Sequence, residues 1–193
     1  MGGCQSSYPG LTEDVLEELC TLTYLHKGEI LDIMKKFYSI DPEKLEANYH
    51  HRFPKQDLLK KFGVLRNNPF QDRLFQVFSS KNDDCFSFED LIDLCSAMSS
   101  ECPPEVKAQW AFKIFDLDND NQISERDIAE ILDRLTWDSN NRANFLDKET
   151  KEQIAKGILQ EINLDNSGSI SVSEFKLIMT RLPEFHSSFY FRL

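Results

Sequence analysis

The chain has 193 residues, with 33 Asp and Glu against 22 Lys and Arg, and its formal net charge is −11. This acidic balance argues against nucleic-acid binding, and no apolar run is long enough to span a membrane. The length suffices for two lobes of about 90 to 100 residues each. Five cysteines without regular spacing favour reduced thiols in the cytosol over a disulfide framework.

The N-terminus carries a candidate lipidation site. Its first residues match the myristoylation pattern, with Gly2 as the acceptor after removal of Met1 and Ser6 at the preferred position. A single myristoyl chain binds a membrane weakly, so palmitoylation of Cys4 would supply a second anchor. We therefore expect a cytoplasmic protein that is partly held at the inner face of the plasma membrane. The alternative is a plain flexible terminus.

Helical periodicity dominates the front half of the chain. A helix is predicted from Glu13 to Thr21 with Thr12 as its N-cap, and a loop without a ligand pattern is predicted from Ser39 to Pro54. The segment from Ser79 to Asp90 aligns with an EF-hand loop, in which oxygen ligands surround a divalent cation. Lys81 stands at its third position and would repel a cation, so we interpret this loop as structural and without metal.

The most informative segment runs from Asp116 to Asp127. Acidic side chains stand at its first, third, fifth and twelfth positions, and an apolar residue stands at the eighth. This spacing is typical of an EF-hand loop, because alternating carboxylates converge on one cation. The predicted ligands are Asp116, Asp118, Asp120, the backbone carbonyl of Gln122, and Asp127. The alternative is an acidic surface loop with chance alternation, which the helical periodicity on both sides disfavours.

Two further positions of this loop fit the same pattern. Asn121 occupies the sharp turn that usually needs Gly, and Asn is one of the few other residues that tolerate a left-handed backbone. Ile123 stands at the apolar position. We expect it to pair with Ile170, its counterpart in a second loop, in a short two-stranded bridge.

The second loop runs from Asn163 to Glu174 and has Gly168 at the turn position. The predicted ligands are Asn163, Asp165, Ser167, Ser169 and Glu174. Because Asn163 and Ser167 supply oxygen without charge, this loop has two carboxylates against four in the first, which predicts weaker affinity. The alternative is a loop that keeps its shape but stays empty.

The last ligand of each loop predicts a difference in metal preference. Asp127 is one methylene shorter than the usual Glu and is expected to bind through one oxygen, which suits six-coordinate magnesium. Glu174 can bind through two oxygens, which suits calcium. The hypothesis is that the Asp116 loop holds magnesium at rest and takes calcium on a signal, and that the Asn163 loop is calcium-selective.

Helices flank both loops, because apolar residues recur at helical spacing on either side of each. Paired EF-hands present an apolar groove when metal binding opens the angle between their helices, and an amphipathic partner helix can lie there. The candidate groove residues are Ile114, Phe115, Ile131, Leu132, Leu135, Ile158, Ile178, Met179 and Leu182. The tail after Pro183 is apolar enough to fill the groove when no partner is present.

Several segments together resemble the calcium- and integrin-binding protein family over nearly the whole length. They are Met1-Gly2, Leu22-Thr23-Tyr24-Leu25, Asn68-Pro69-Phe70, Ala111-Phe112-Lys113-Ile114-Phe115-Asp116 and the C-terminal Pro183–Leu193. The resemblance implies two silent front hands, two metal-binding rear hands and Asp at the end of the third loop. It implies partners that are cytoplasmic tails of membrane proteins, including integrin α subunits and channel-like proteins, or kinases. The chain departs from the family at Asn163 and Ser167.

These observations predict an all-α EF-hand fold with four helix-loop-helix units in two lobes, of which the two rear hands bind metal. The segment Cys102-Pro103-Pro104 marks the joint between the lobes. The predicted divisions are a flexible N-terminus at 1–11, a lobe with degenerate loops at 12–103, a lobe with two metal loops at 104–182, and an apolar tail at 183–193.

Three functions fit this reading. The leading one is a calcium- and magnesium-responsive regulatory adaptor. The others are a calcium or magnesium buffer and an obligate regulatory subunit of an enzyme such as a phosphatase. The chain is not expected to be an enzyme itself, because it shows no nucleophile with a base, no phosphate-binding Gly-rich loop and no catalytic zinc pattern.

Overall fold

The structure is a computed structural model that describes residues 8–136, 146–162, 167–182, 184–185 and 189. Helices dominate the described part, and short antiparallel strand pairs join the loops between them. The all-α EF-hand fold predicted from the sequence is confirmed. The described chain divides into two compact units, with the boundary in the sequence between Cys102 and Pro103, and each is described separately.

The front unit contains seven helices among its described residues. They are α1 (Glu13–Leu22), α2 (Lys27–Tyr38), α3 (Pro42–Ala47), α4 (Lys55–Lys61), α5 (Gly63–Arg66), α6 (Gln71–Phe78) and α7 (Phe88–Ala97). Strand β1 (Phe53–Pro54) pairs antiparallel with β2 (Cys85–Phe86). The register places Phe53 opposite Phe86. It therefore joins the loop at 39–54, which belongs to the first helix-loop-helix hand, to the 79–90 loop of the second hand.

Side-chain caps explain where several of these helices begin. The Thr12 hydroxyl accepts the Val15 amide at 3.3 Å, which confirms Thr12 as the N-cap of α1. Helix α3 lies inside the segment that the sequence predicted as a loop. The Asp41 side chain caps α3 by accepting the Lys44 amide. Pro42 occupies the first turn of the helix, where a backbone N–H would have no partner within the helix, so its absence costs no hydrogen bond. The six-residue α3 is too short to show helical periodicity in the sequence.

Buried phenylalanines form the core of the front unit. Phe37 packs against Phe53 and Phe88, with ring centroids 5.1 and 5.7 Å apart, and Phe75 packs against Phe86 at 4.4 Å. All five side chains are fully buried. Because Phe53 and Phe86 come from the two paired loops, burial of these rings fixes the loops against the helices.

The rear unit contains four helices among its described residues. They are α8 (Pro104–Phe115), α9 (Glu125–Thr136), α10 (Lys148–Ile162) and α11 (Val172–Met179). Strand β3 (Gln122–Ile123) pairs antiparallel with β4 (Ile170–Ser171). The pairing of Ile123 with Ile170 is confirmed, and both side chains are only 2% exposed. They belong to a core cluster with Ala108, Ala111, Phe112, Ile128, Ala155, Leu159 and Phe175.

No helix in the described ranges is long and apolar enough to cross a membrane. Cys95 and Cys102 are buried, in keeping with packing roles. Burial raises the pKa of the Cys95 thiol, so this thiol stays protonated at neutral pH.

Candidate metal centre

The loop between α8 and α9 is wound around the carboxylate of Asp116. Its Oδ1 accepts the Asp120 amide at 3.1 Å, and its Oδ2 accepts the Asn121 amide at 3.0 Å. Asn119 and Asn121 have φ angles of 60° and 65°, so the predicted left-handed turn at Asn121 is confirmed. The turn brings the side chains that follow Asp116 back toward it.

Three carboxylates converge in this loop. Asp116, Asp118 and Asp120 each offer an oxygen, and these oxygens lie within 4.8 Å of one another. Asp116 is buried, which raises its pKa, although the two amide hydrogen bonds act in the opposite direction. A set of hard oxygen donors held this close fits calcium or magnesium, because a divalent cation offsets their mutual repulsion.

Asp127 is buried at the twelfth position and closes the loop on itself. Its Oδ1 accepts the Leu117 amide at 3.1 Å, and its Oδ2 accepts both the amide and the hydroxyl of Ser124 at 2.9 and 2.6 Å. It lies outside the group of three converging carboxylates. Its role as a metal ligand, and that of the Gln122 carbonyl, stay predictions.

The loop of the fourth hand is described from Ser167 onward. Gly168 has a φ of +88°, as its turn position requires, and the Ser167 hydroxyl donates to the Ser169 carbonyl at 3.0 Å. Glu174 is buried, and its Oε2 accepts the amide and hydroxyl of Ser171 at 2.9 and 2.7 Å. The predicted ligands Asn163 and Asp165 lie outside the described residues.

A side-chain hydrogen bond, in addition to the strand pair, connects the two rear loops. The strand register places Gln122 opposite Ser171, and the Ser169 hydroxyl donates to Gln122 Oε1 at 3.0 Å. Gln122 and Ser169 both stand at the seventh position of their loops. The seventh position of an EF-hand loop binds metal through its backbone carbonyl, so these two side chains link two predicted ligand positions.

The predicted groove residues differ in burial. Ile114 is 2% exposed and lies within the protein, whereas Leu135 and Leu182 are 60% and 48% exposed. Four others are partly buried and pack against the core cluster, and they are Phe115, Leu132, Ile158 and Met179. Ile131 and Ile178 are also partly buried. The rear unit therefore has apolar side chains accessible at the end of α9 and after α11.

The described residues of the C-terminal tail return to the rear unit. Phe185 and Phe189 pack against the core cluster, with their rings stacked at a centroid distance of 5.7 Å. The predicted lipidation residues Gly2 and Cys4 lie outside the described residues.

Arg52 makes contacts within the 79–90 loop that the sequence patterns did not indicate. It precedes β1, and its guanidinium donates to Asp83 and Asp90 in the 79–90 loop. Arg52 is separated from these partners by 31 and 38 positions, so no ligand spacing within the loop points to it.

The converging carboxylates and the joined loops define an EF-hand protein. A family model described as an EF-hand domain pair matches residues 105–180. The chain is 30% identical over 187 residues to calcium and integrin-binding family member 2 of Drosophila melanogaster, covering 94% of this chain and 96% of the relative. The human protein of that name is 29% identical over 196 residues, covering 100% of both chains. The chain belongs to the calcium and integrin-binding family.

Proposed function

We propose that this protein is a calcium- and magnesium-binding regulatory adaptor without catalytic activity of its own. The observation that carries the proposal is the convergence of Asp116, Asp118 and Asp120 within 4.8 Å. Three hard oxygen donors at one point are the donor set of a calcium or magnesium site. The names of the relatives, which refer to calcium and to integrin binding, support the same function.

The two rear loops would hold one ion each. In the third hand the ligands are Asp116, Asp118, Asp120, the Gln122 carbonyl and Asp127. In the fourth hand they are Asn163, Asp165, Ser167, Ser169 and Glu174. A bound cation supplies the positive charge that offsets the clustered carboxylates. The shorter Asp127 favours magnesium in the first site, and Glu174 favours calcium in the second.

The partner would be an amphipathic helix that lies on the apolar surface of the rear unit. Leu135 and Leu182 are exposed there, although exposure of large apolar side chains costs free energy in water. Helix-in-groove recognition uses such side chains. The family relationship suggests that the helix comes from the cytoplasmic tail of a membrane protein, such as an integrin α subunit or a channel-like protein, or from a kinase.

The tail would compete with the partner for this surface. Phe185 and Phe189 already pack against the core cluster of the rear unit. Acylation of Gly2, with or without Cys4, would hold the adaptor near the inner face of the plasma membrane, where such partner tails are found.

Calorimetry and dye binding on the full-length protein test this function together. We expect calcium and magnesium each to bind in calorimetric titrations, and calcium to raise the fluorescence of an apolar dye because a sensor opens its groove. Asp118→Asn should weaken binding at one site, whereas Glu105→Gln changes an exposed carboxylate of α8 outside the loops and serves as control. Absence of ion binding would refute the proposal. Ion binding without increased dye fluorescence would instead indicate a buffer.

A further inference from the structure

The 79–90 loop has kept the backbone of a metal-binding loop. Asn82 and Asp84 have φ angles of 49° and 54°, at the fourth and sixth positions. Asn119 and Asn121 have the same sign of φ at the same positions of the third hand. Residues other than glycine rarely adopt a left-handed backbone conformation. Two such residues at matching positions indicate that the backbones of the two loops turn in the same way.

The two loops are also closed in the same way. Asp90, at the twelfth position, accepts the Ser80 amide through Oδ1 at 3.2 Å and the Ser87 amide through Oδ2 at 3.0 Å. These amides belong to the second and ninth positions, which are the positions whose amides Asp127 accepts in the third hand. The carboxylate at the end of the 79–90 loop is therefore placed as in the metal-binding hand.

The Arg52 guanidinium sits among the ligand positions of this loop. It donates to Asp90 Oδ2 at 2.7 Å, to the Ser79 hydroxyl at 3.0 Å and to the Cys85 carbonyl at 2.6 Å. It also binds Asp83 with two parallel hydrogen bonds of 3.1 and 2.9 Å. These partners stand at positions one, five, seven and twelve, which are ligand positions in a calcium loop.

A sixth contact links the guanidinium to the Ser80 hydroxyl at 2.9 Å. The Arg52 side chain is 13% exposed and that of Asp90 is 4% exposed, so the pair is largely removed from water. Arg is suited to such a site because its planar group can donate in several directions at once and always carries charge. The pairing of β1 with β2 brings the guanidinium to the 79–90 loop, since Arg52 immediately precedes β1.

We propose that residues 79–90 form a guanidinium-binding site whose ligand is Arg52 of the same chain. The second hand thus contains a permanent internal cation in place of a metal ion. The conformation of the second hand therefore does not depend on calcium or magnesium. The Arg52 side chain also holds the loop of the first hand against the loop of the second. Metal dependence is then confined to the rear hands.

Chemical rescue of the Arg52→Ala variant tests the proposal. Removing the guanidinium leaves Asp90 buried without its cation, so we expect the melting temperature of the full-length protein in chelator to fall by roughly 10 °C or more. Arg66→Ala, which removes an exposed arginine of the same unit, should have little effect. Millimolar methylguanidinium should raise the melting temperature of Arg52→Ala but not that of Arg66→Ala. Methylammonium, which lacks the planar guanidinium group, should not raise the melting temperature of Arg52→Ala.

Equal melting temperatures of the Arg52→Ala and Arg66→Ala variants would overturn the proposal. So would an equal increase in the melting temperature of Arg52→Ala with methylguanidinium and with methylammonium. If the Arg52→Ala variant does not fold, nuclear magnetic resonance of the wild-type protein decides. The Arg52 Nε proton is then expected to exchange slowly with water and to keep its chemical shift when divalent ions are removed. Exchange as fast as that of the Arg66 Nε proton would count equally against the site.

Discussion

The Ser169 hydroxyl donates a hydrogen bond of 3.0 Å to Gln122 Oε1 and thereby connects the two rear loops through side chains. Both residues stand at the seventh position of their loops, where the backbone carbonyl is a ligand in EF-hands. An ion that fixes one carbonyl therefore restrains the residue that contacts the other. The contact provides a physical route for coupling between the two predicted sites.

Ser169→Ala is expected to weaken the coupling between the two ions by about 0.5–1 kcal/mol, the net value of one hydrogen bond. The seventh position of an EF-hand loop binds metal through its backbone carbonyl, so the substitution leaves the ligand set unchanged. Ser173→Ala, at an exposed position of the same loop, is the control. Stepwise constants from calorimetric calcium titrations measure the coupling, and identical cooperativity in both variants would exclude this route.

Asp127→Glu is expected to increase the preference of the third hand for calcium over magnesium by about tenfold, because the longer side chain can bind with two oxygens. The reciprocal change, Glu174→Asp, should lower the calcium preference of the fourth hand. Competition titrations of calcium in the presence of magnesium measure both. An unchanged ratio of the two affinities in Asp127→Glu would show that residue 127 does not determine ion selectivity.

The front unit should respond to acid through Asp83. Its hydrogen bonds with Arg52 hold the pKa of Asp83 at about 2, below the ordinary 3.8. Because the folded pKa is depressed, the stabilisation is fully present above pH 3.8 and is lost as the pH falls toward about 2. The stability difference between wild type and Asp83→Asn should therefore be constant at higher pH and shrink over this interval.

Asp84→Asn is the matched control for this experiment. Asp84 is exposed and has a positive φ of 54°, which Asn tolerates. Denaturant unfolding at a series of pH values measures both variants. A difference between wild type and Asp83→Asn that does not change with pH would contradict the assignment.

Replacing the internal cation should create a new metal site. The double variant Arg52→Ala, Lys81→Asp would present carboxylates at the third, fifth and twelfth positions of the 79–90 loop. We expect it to bind one more divalent ion than wild type, with a weak dissociation constant of about 0.1–1 mM. Arg52→Ala alone, which retains the repelling Lys81, is the control. Equal ion stoichiometry in the double variant and wild type would contradict the prediction.

Removal of Pro183–Leu193 is expected to tighten binding of an amphipathic partner helix. If the tail occupies the groove nine-tenths of the time, its removal improves the apparent affinity by about tenfold. Phe185→Ser with Phe189→Ser should act in the same direction, because both rings pack against the core cluster. Arg181→Ala, at an exposed position before the tail, is the control. Weaker or unchanged peptide binding, measured by fluorescence anisotropy, would exclude the tail as a competitor.

The described turn and strand pairing of the rear loops could be predicted because an EF-hand loop is formed by consecutive residues. Its ligands, turn residue and apolar position all fall within twelve consecutive residues. Fixed spacing therefore placed Asn121 in a left-handed turn and Ile123 opposite Ile170, as the structure shows. The capping hydroxyl of Thr12 is similarly local and was predicted for the same reason.

The features that escaped prediction depend on contacts between distant segments or on very short elements. Lys81 indicated that the 79–90 loop binds no metal, but nothing in the loop showed that Arg52 would enter it. That contact exists because β1 and β2 pair, and two-residue strands leave no alternating pattern in a sequence. Helix α3 was missed because six residues carry too little periodicity, although Asp41-Pro42 is a recognisable helix start.

The site that contains Arg52 has a consequence for synthesis of the protein. Its partners lie between 27 and 38 residues after Arg52, so the whole site is encoded in the first half of the chain. Ribosomes add about 5–20 residues per second, so roughly 5 to 20 s pass between the translation of residue 90 and that of residue 193. The front half carries its own cation and needs none from the cell. The Arg52 site can therefore begin to form while the rear loops, which are predicted to bind metal, are still being translated.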